Sequence, residues 1–148
     1  MNILVSRCLL GIPCRYDGKE KHNKAVEQLQ KAGHTLIAVC PESDGGLPTP
    51  RPPAEVRADR RVVNCEGIDV TAEYVKGAEL ALQTAERYGC TAAVLKARSP
   101  SCGSTEIYDG SFRKKLIPGR GIAAELLTEA GIRVVDEDHI ANLFPVNE

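Results

Sequence analysis

Three short, unbroken apolar runs constrain this chain more than anything else in it: Ile3-Leu4-Val5, Leu36-Ile37-Ala38-Val39 and Ala92-Ala93-Val94-Leu95. None alternates between apolar and polar residues, so none reads as a strand with one face in water. Runs of this kind fit parallel strands covered on both faces. A fourth, Ile132-Arg133-Val134-Val135, follows near the C-terminal end. The segments between them read as helices, so the expected architecture is α/β, a single-domain three-layer fold with a mostly parallel, Rossmann-like sheet. At 148 residues the chain matches one domain, 1–148, large enough to bury a core without disulfides or a metal to hold it together. One Met, two Phe and no Trp leave that core to Val, Ile, Leu and Ala.

Asn23 is predicted to cap a helix running to about Ala32, with Val26 and Leu29 inward and Gly33 as its left-handed stop. The clearest helix runs from near Asp69 to Gly89, because Val70, Tyr74, Ala78, Ala81, Ala85 and Tyr88 recur at three- and four-residue steps. Another is expected from about Gly121 to Ala130, with Ile122 and Leu126 inward. Asp136 is expected to cap a last short helix through Ile140, Leu143 and Phe144. Two stretches show no regular pattern. Pro41 to Pro53 holds five prolines and two glycines and reads as an exposed, stiff loop. Arg98 to Gly119 is irregular, with a turn at Tyr108-Asp109-Gly110-Ser111.

Nineteen Lys and Arg against twenty Asp and Glu give a formal charge of -1, which excludes the basic footprint of a protein that grips long nucleic acid. A small anionic ligand is still allowed. The opening residues carry no basic leader, Arg7 ends their apolar run, and no apolar segment is long enough to span a membrane. The expected location is therefore the cytoplasm, where six cysteines read as reduced thiols rather than a disulfide framework.

Those thiols are the first thing to explain. Cys8, Cys40 and Cys102 each fall just beyond the carboxyl end of an apolar run. In an open parallel sheet these ends share one edge, where ligands bind. Cys14 lies six residues past Cys8, and Gly11 and Pro13 could bend it back to the same place. Cys90 enters a strand and reads as a small buried hydrophobe; Cys65 falls in Asn64-Cys65-Glu66-Gly67, which reads as a turn. No Cys-x-x-Cys occurs, which weakens both a structural zinc site and a redox dithiol. Three separated thiolates could also hold an iron-sulfur cluster with one iron left open. A catalytic cysteine nucleophile and cysteines that merely pack stay open beside it. His22, His34 and His139 form no constellation with a cysteine and read as surface or capping residues.

Taken together, the motifs are more specific. Ser6-Arg7-Cys8-Leu9-Leu10-Gly11, Cys14-Arg15-Tyr16-Asp17-Gly18, Cys40-Pro41-Glu42, Gly45-Gly46-Leu47-Pro48-Thr49-Pro50-Arg51 and Lys96-Ala97-Arg98-Ser99-Pro100-Ser101-Cys102-Gly103 occur in order. This set closely resembles the thiouracil desulfidase family, from Ser6 through Gly119-Arg120-Gly121-Ile122. The resemblance implies a 4Fe-4S cluster held by Cys8, Cys40 and Cys102, whose fourth iron takes the sulfur of a thiolated pyrimidine. Oxygen from water replaces that sulfur, which departs as hydrogen sulfide with no net electron transfer. Cys14 would be a further thiol beside the cluster or a swapped ligand. Glu42 looks like the family's catalytic carboxylate, and Ser101, with Ser99 as its rival, would hydrogen-bond the leaving sulfur or position water.

The substrate class so implied is thiouracil or 4-thiouridine monophosphate. Arg15, Arg51 and Arg98 are candidates for holding a phosphate, as are the backbone N–H groups of Gly103 and Ser104, and Ser99 is a further candidate for binding substrate. Neither a membrane nor long nucleic acid is an expected partner, and the expected state is a monomer or small homo-oligomer. Two other readings compete: a non-catalytic cysteine-rich module that binds or delivers metal or an iron-sulfur cluster, and a nucleotide-binding protein without one.

Overall fold

The computed structural model describes residues 1–11 and 23–144. Its elements run β1 (Asn2–Ser6), α1 (Lys24–Lys31), β2 (Thr35–Val39), α2 (Pro41–Asp44), β3 (Ala54–Val56), β4 (Val62–Asn64), α3 (Thr71–Arg87), β5 (Ala92–Leu95), β6 (Glu106–Tyr108), β7 (Leu116–Pro118), α4 (Ile122–Glu129) and β8 (Arg133–Asp136). Short 3-10 turns occupy Arg7–Leu10 and Ile140–Leu143.

The apolar runs form one parallel sheet in the order β2-β1-β5-β8, with Leu4 in register with Ile37 on one side and Ala93 on the other. Alternation along the central strands covers both faces. Ile3, Val5, Ala92 and Val94 point to a layer built from Val26 and Leu29 of α1 and Leu143 near the C-terminal end. Leu4, Ala93 and Leu95 point the other way, onto Ala81 and Ala85 of α3 and Ala124 and Leu127 of α4. The result is the three-layer α/β fold expected from the runs. Each fully buried Val, Leu or Ile in it stabilises the fold by about 1.5–3 kcal/mol.

Asn23 caps α1 as its residue type suggests, accepting from the N–H groups of Ala25 and Val26 at 3.0 and 3.1 Å. Gly33 follows the helix at φ +97°, a conformation that favours glycine. The long helix keeps its expected buried stripe through Tyr74, Ala78, Ala81 and Ala85 but closes at Arg87, leaving Tyr88 45% exposed rather than inward. The buried face of α4 is Ala123, Ala124 and Leu127. Ile122 and Leu126, expected inward, are only partly buried, and Ile122 turns to a separate cluster with Val56, Val62 and Tyr74. Asp136 ends β8 instead of capping a helix. Its carboxylate takes the Asp138 N–H at 2.9 Å and pairs with the His139 ring at 2.6 Å.

The two stretches read as loops hold most of the surprises. Pro41 to Pro53 opens with the α2 turn and buries Pro41, Gly45 and Arg51, so it is neither wholly irregular nor wholly exposed. Proline at the first helical position presets the turn. Two glycines then seat it on α3: a Cβ at Gly77 would lie 1.7 Å from the Pro41 carbonyl oxygen, and one at Gly45 would lie 2.0 Å from that of Glu73. Arg98 to Gly119 contains the antiparallel hairpin β6–β7, and a second hairpin, β3–β4, precedes α3. Each of these strands has three residues, too few to display a period of two.

Candidate active site

Parallel β1, β2 and β5 release their chains on the same edge of the sheet. A cavity of about 460 Å³ opens there. The end of β1 contributes Ser6 and Cys8, the end of β2 contributes Cys40 and Glu42, and the segment after β5 contributes Lys96 through Cys102. The two hairpins complete the lining with Glu55, Tyr108, Phe112 and Lys114. Cys8, Cys40 and Cys102 thus meet, and they are 5%, 8% and 4% exposed.

Each thiol is held by its own local device. Cys8 sits in the 3-10 turn that Gly11 closes at φ +85°, with the Gly11 N–H donating to the Cys8 carbonyl at 3.2 Å. Cys40 caps α2: its N–H donates to the Asp44 carboxylate at 3.1 Å, and the Asp44 N–H donates back to the Cys40 carbonyl at 2.8 Å. Arg7 grips both oxygens of Asp44 at 3.0 and 3.3 Å, tying the Cys8 turn to the Cys40 turn.

Cys102 depends on Ser99 and on α4. The Ser99 hydroxyl accepts the N–H groups of Ser101 and Cys102, both at 3.1 Å. The first N–H groups of α4 are spent on the same loop: Ile122 donates to the Pro100 carbonyl, and Ala123 and Ala124 donate to that of Ser101, at 2.9–3.0 Å. These would otherwise be unpaired at a helix start. Gly121 N–H donates to the Gly103 carbonyl at 2.8 Å.

Burial pushes the Cys102 thiol up to about 12, Ser101 and Ser6 oppose this by hydrogen bonding the sulfur, and Glu42 and Cys40 add to it. A thiol held protonated is a poor nucleophile. It yields its proton to a metal instead, because metal ligation requires the thiolate. The chemistry of three buried sulfurs on one cavity suits the donor set of an iron-sulfur cluster. Among the described residues, no three of His, Cys, Asp and Glu are placed to hold a single metal ion. A cluster spans its ligands and does not require that closeness.

Glu42 is held from several sides within the cavity. Its Oε1 accepts from the Tyr74 hydroxyl at 2.9 Å and from Arg51 Nε and Nη2 at 3.1 Å each. Its Oε2 accepts from Ser101 Oγ at 2.9 Å and Ser99 Oγ at 3.1 Å, and the two hydroxyls are themselves 2.9 Å apart. Arg51 is only 4% exposed at its side chain and also donates to the Pro48 carbonyl and Thr49 Oγ1 at 3.0 Å. The proline-rich loop therefore wraps Arg51 and delivers its charge to Glu42. Burial and the neighbouring Glu42 push Tyr74 well above the ordinary phenol value, so its hydroxyl stays a donor.

Of the remaining residues singled out from the sequence, Arg98 lines the cavity and donates through Nε to Glu106 at 3.0 Å. Gly103 and Ser104 are not brought to it. Gly103 spends its N–H on the Ser99 carbonyl at 2.8 Å, and a Cβ there would lie 2.9 Å from the carbonyl oxygens of Ser99 and Glu106. Ser104 lines a separate surface depression with Arg60 and Arg120, its hydroxyl buried without a partner. Arg15 and Cys14 lie outside the described residues, as does His22. Cys90 is buried in the core and Cys65 is exposed at its turn. His34 and His139 keep to the periphery, the first meeting the N-terminal amine at 3.1 Å.

Sequence reasoning missed several contributors. Tyr74 read only as part of an apolar stripe, although tyrosine in a buried stripe needs a partner for its hydroxyl. Lys96 pairs with Glu137 at 3.0 Å, and Glu137 also accepts the Ala97 N–H at 2.7 Å, fixing the start of the Cys102 segment. Nothing in the spacing links residues so far apart. Phe112 and Lys114 are held beyond the hairpin turn, both in the left-handed region at φ +58° and +59°. That conformation costs about 1–2 kcal/mol for a residue with a side chain.

Comparison with known proteins finds that residues 3–139 match the family model described as 2-thiouracil desulfurase. A Bacillus subtilis (strain 168) protein described as uncharacterized protein YbbK is 40% identical over 151 residues, spanning 96% of this chain and 99% of that one. A solved structure described as a 4Fe-4S-dependent thiouracil desulfidase, TudS, superposes with a TM-score of 0.89 at 47% identity. That alignment covers 96% of this chain and 94% of the other.

Proposed function

Because the chain belongs to the 2-thiouracil desulfurase family, we propose that it replaces the sulfur of a thiolated pyrimidine by oxygen from water, releasing hydrogen sulfide. Water and a thiocarbonyl give a carbonyl and hydrogen sulfide, with no electron gained or lost. The observation that carries this reading is the meeting of three buried thiols with one carboxylate fixed by two serines, a tyrosine and an arginine.

Cys8, Cys40 and Cys102 would hold the 4Fe-4S cluster. A cluster ligated by three cysteines supplies an iron without a protein ligand, a Lewis acid and sulfur acceptor in one. The protein's own residues supply the rest. Glu42 takes a proton from the attacking water at Oε2, the oxygen it shares with the Ser101 and Ser99 hydroxyls. Arg51 and Tyr74 keep Oε1 occupied, so the carboxylate cannot swing out of line. Ser101 lies between Glu42 and the Cys102 sulfur, 3.4 Å from the latter, and turns its one proton toward whichever is more negative. Ser99 is committed to the backbone of the loop and acts as a brace.

Lys114 on the same cavity, with Arg98 also on its lining and paired to Glu106, supports a phosphorylated thiouridine over the free base. The residues invoked span Ser6 to Lys114, and the proposed catalytic unit is the single domain 1–148, acting as a monomer or small homo-oligomer. No helix of the described residues is long and apolar enough to cross a membrane. The five described cysteines are all free thiols, which suits the reducing cytoplasm.

The test is iron and acid-labile sulfide per chain on protein purified without oxygen, followed by sulfide release from thiouracil and from 4-thiouridine monophosphate. Near-equal iron and sulfide approaching about four each, with turnover that iron removal abolishes, is the expected result. Turnover by iron-free protein overturns the reading. A non-catalytic metal carrier would need the thiols but not the five-donor setting of Glu42, and Glu42→Gln separates the two. In the enzyme it abolishes sulfide release and spares iron.

A further inference from the structure

The hairpin β6–β7 reaches the cavity with its tip, and the tip is fastened rather than loose. Glu55 Oε1 on β3 accepts the N–H groups of both Gly110 and Phe112, at 2.9 and 3.2 Å. Gly110 lies at φ +94° and so close to β3 that an added Cβ would be 3.2 Å from the Val56 carbonyl oxygen. Asp109 bonds the Ser111 N–H at 2.9 Å and closes the turn. Phe112 and Lys114 then follow in left-handed backbone, which a side chain adopts only when its surroundings impose it.

The construction leaves a large apolar ring at the cavity, 39% exposed, where burial would be the ordinary outcome for phenylalanine. Tyr108, on the same hairpin, lines the cavity as well. The Lys114 ammonium, also on the lining, is engaged by no hydrogen bond or ion pair among the described residues. A flat aromatic face and an unspent cation on one rigid tip match a molecule that has a flat ring and a negative charge.

We infer that the Glu55-fastened tip is the substrate-selecting element, Phe112 stacking on the pyrimidine ring and Lys114 receiving the anionic substituent of the same molecule. This rests on the desulfuration reading for the identity of the ring. Phe112 and Lys114 touch substrate only, and Glu55 is a positioning residue that acts through them.

Calorimetric titration of the cluster-loaded protein with uridine 5′-monophosphate, the oxo compound that cannot react further, tests it without turnover. Phe112→Ala is expected to weaken binding about tenfold or more, the order of one base-aromatic stack, and Phe112→Tyr to restore it. Lys114→Gln is expected to weaken the monophosphate about fivefold while changing uridine much less, as for one partly screened ion contact. Glu55→Gln should weaken both ligands. Thermal melting of each variant checks that it folds as the parent does. Equal affinity of Phe112→Ala and parent for the monophosphate overturns the stacking role, and an equal loss for uridine and monophosphate in Lys114→Gln overturns the charge role. Failure of the parent to release sulfide from any thiopyrimidine would overturn the desulfuration reading instead, and the binding comparison would still decide this one.

Discussion

The Tyr74 hydroxyl donates to Glu42 Oε1 at 2.9 Å from a side chain only 1% exposed. A core residue of α3 thereby sets the orientation of a carboxylate that belongs to another element. Tyr74→Phe keeps the packing and removes one charge-assisted hydrogen bond, worth about 1.5–3 kcal/mol. Sulfide release should fall about 10- to 100-fold in this variant while iron content stays at the parental level. A parental rate would show that Arg51 and the serines suffice to hold Glu42.

The three converging thiols should behave as a set. Cys8→Ala, Cys40→Ala and Cys102→Ala are each expected to lose iron and visible absorbance, whereas Cys65→Ser, at an exposed turn, should retain both. Iron analysis of the four proteins side by side checks this, and a Cys65→Ser protein as iron-poor as the others would contradict the assignment.

Gly121 offers a test of how α4 serves the Cys102 loop. Its φ of -66° is open to any residue, but a Cβ would lie 2.5 Å from the Ser101 carbonyl carbon. Gly121→Ala should therefore push the loop away, costing about 1–3 kcal/mol and lowering iron occupancy. Gly33→Ala is the counterpart: nothing lies within 4 Å, and φ is +97°. It should cost about 1 kcal/mol with iron unchanged. Urea unfolding with iron analysis separates the two.

Asp69 gives a prediction in pH. Hydrogen bonds from Thr71 and Arg61 lower its carboxyl from 3.8 to about 2 in the folded chain. A depressed folded value means the stabilisation is complete above the unfolded value, near 4, and is lost as pH falls toward 2. Urea midpoints for the parent and Asp69→Asn should therefore differ at pH 6 and converge on acidification through that window. A constant gap would assign the effect to packing.

Much of the scaffold was legible in the sequence because its central strands are covered on both sides and so appear as unbroken apolar runs. The convergence of Cys8, Cys40 and Cys102 followed from their positions after three such runs, since parallel strands share an edge. What surrounds Glu42 was less visible. Tyr74 fitted an apolar stripe, and its hydroxyl had no marker of a partner on another element. Arg51 stood in a stretch whose prolines suggested exposure, yet glycines at 45 and 77 let the segment dock and bury its guanidinium. The hairpins escaped because three-residue strands carry no period, and with them went Phe112 and Lys114.

The parting of the three thiols along the chain bears on assembly. One follows β1, one follows β2 and one comes after β5, so no short segment carries more than one of them. An incompletely folded chain keeps these three sulfurs apart, and only the aligned sheet brings them to one cavity. On the assignment proposed above, cofactor acquisition acts as a coincidence detector for folding: a molecule that has taken up its iron has, by that fact, already set three strands side by side.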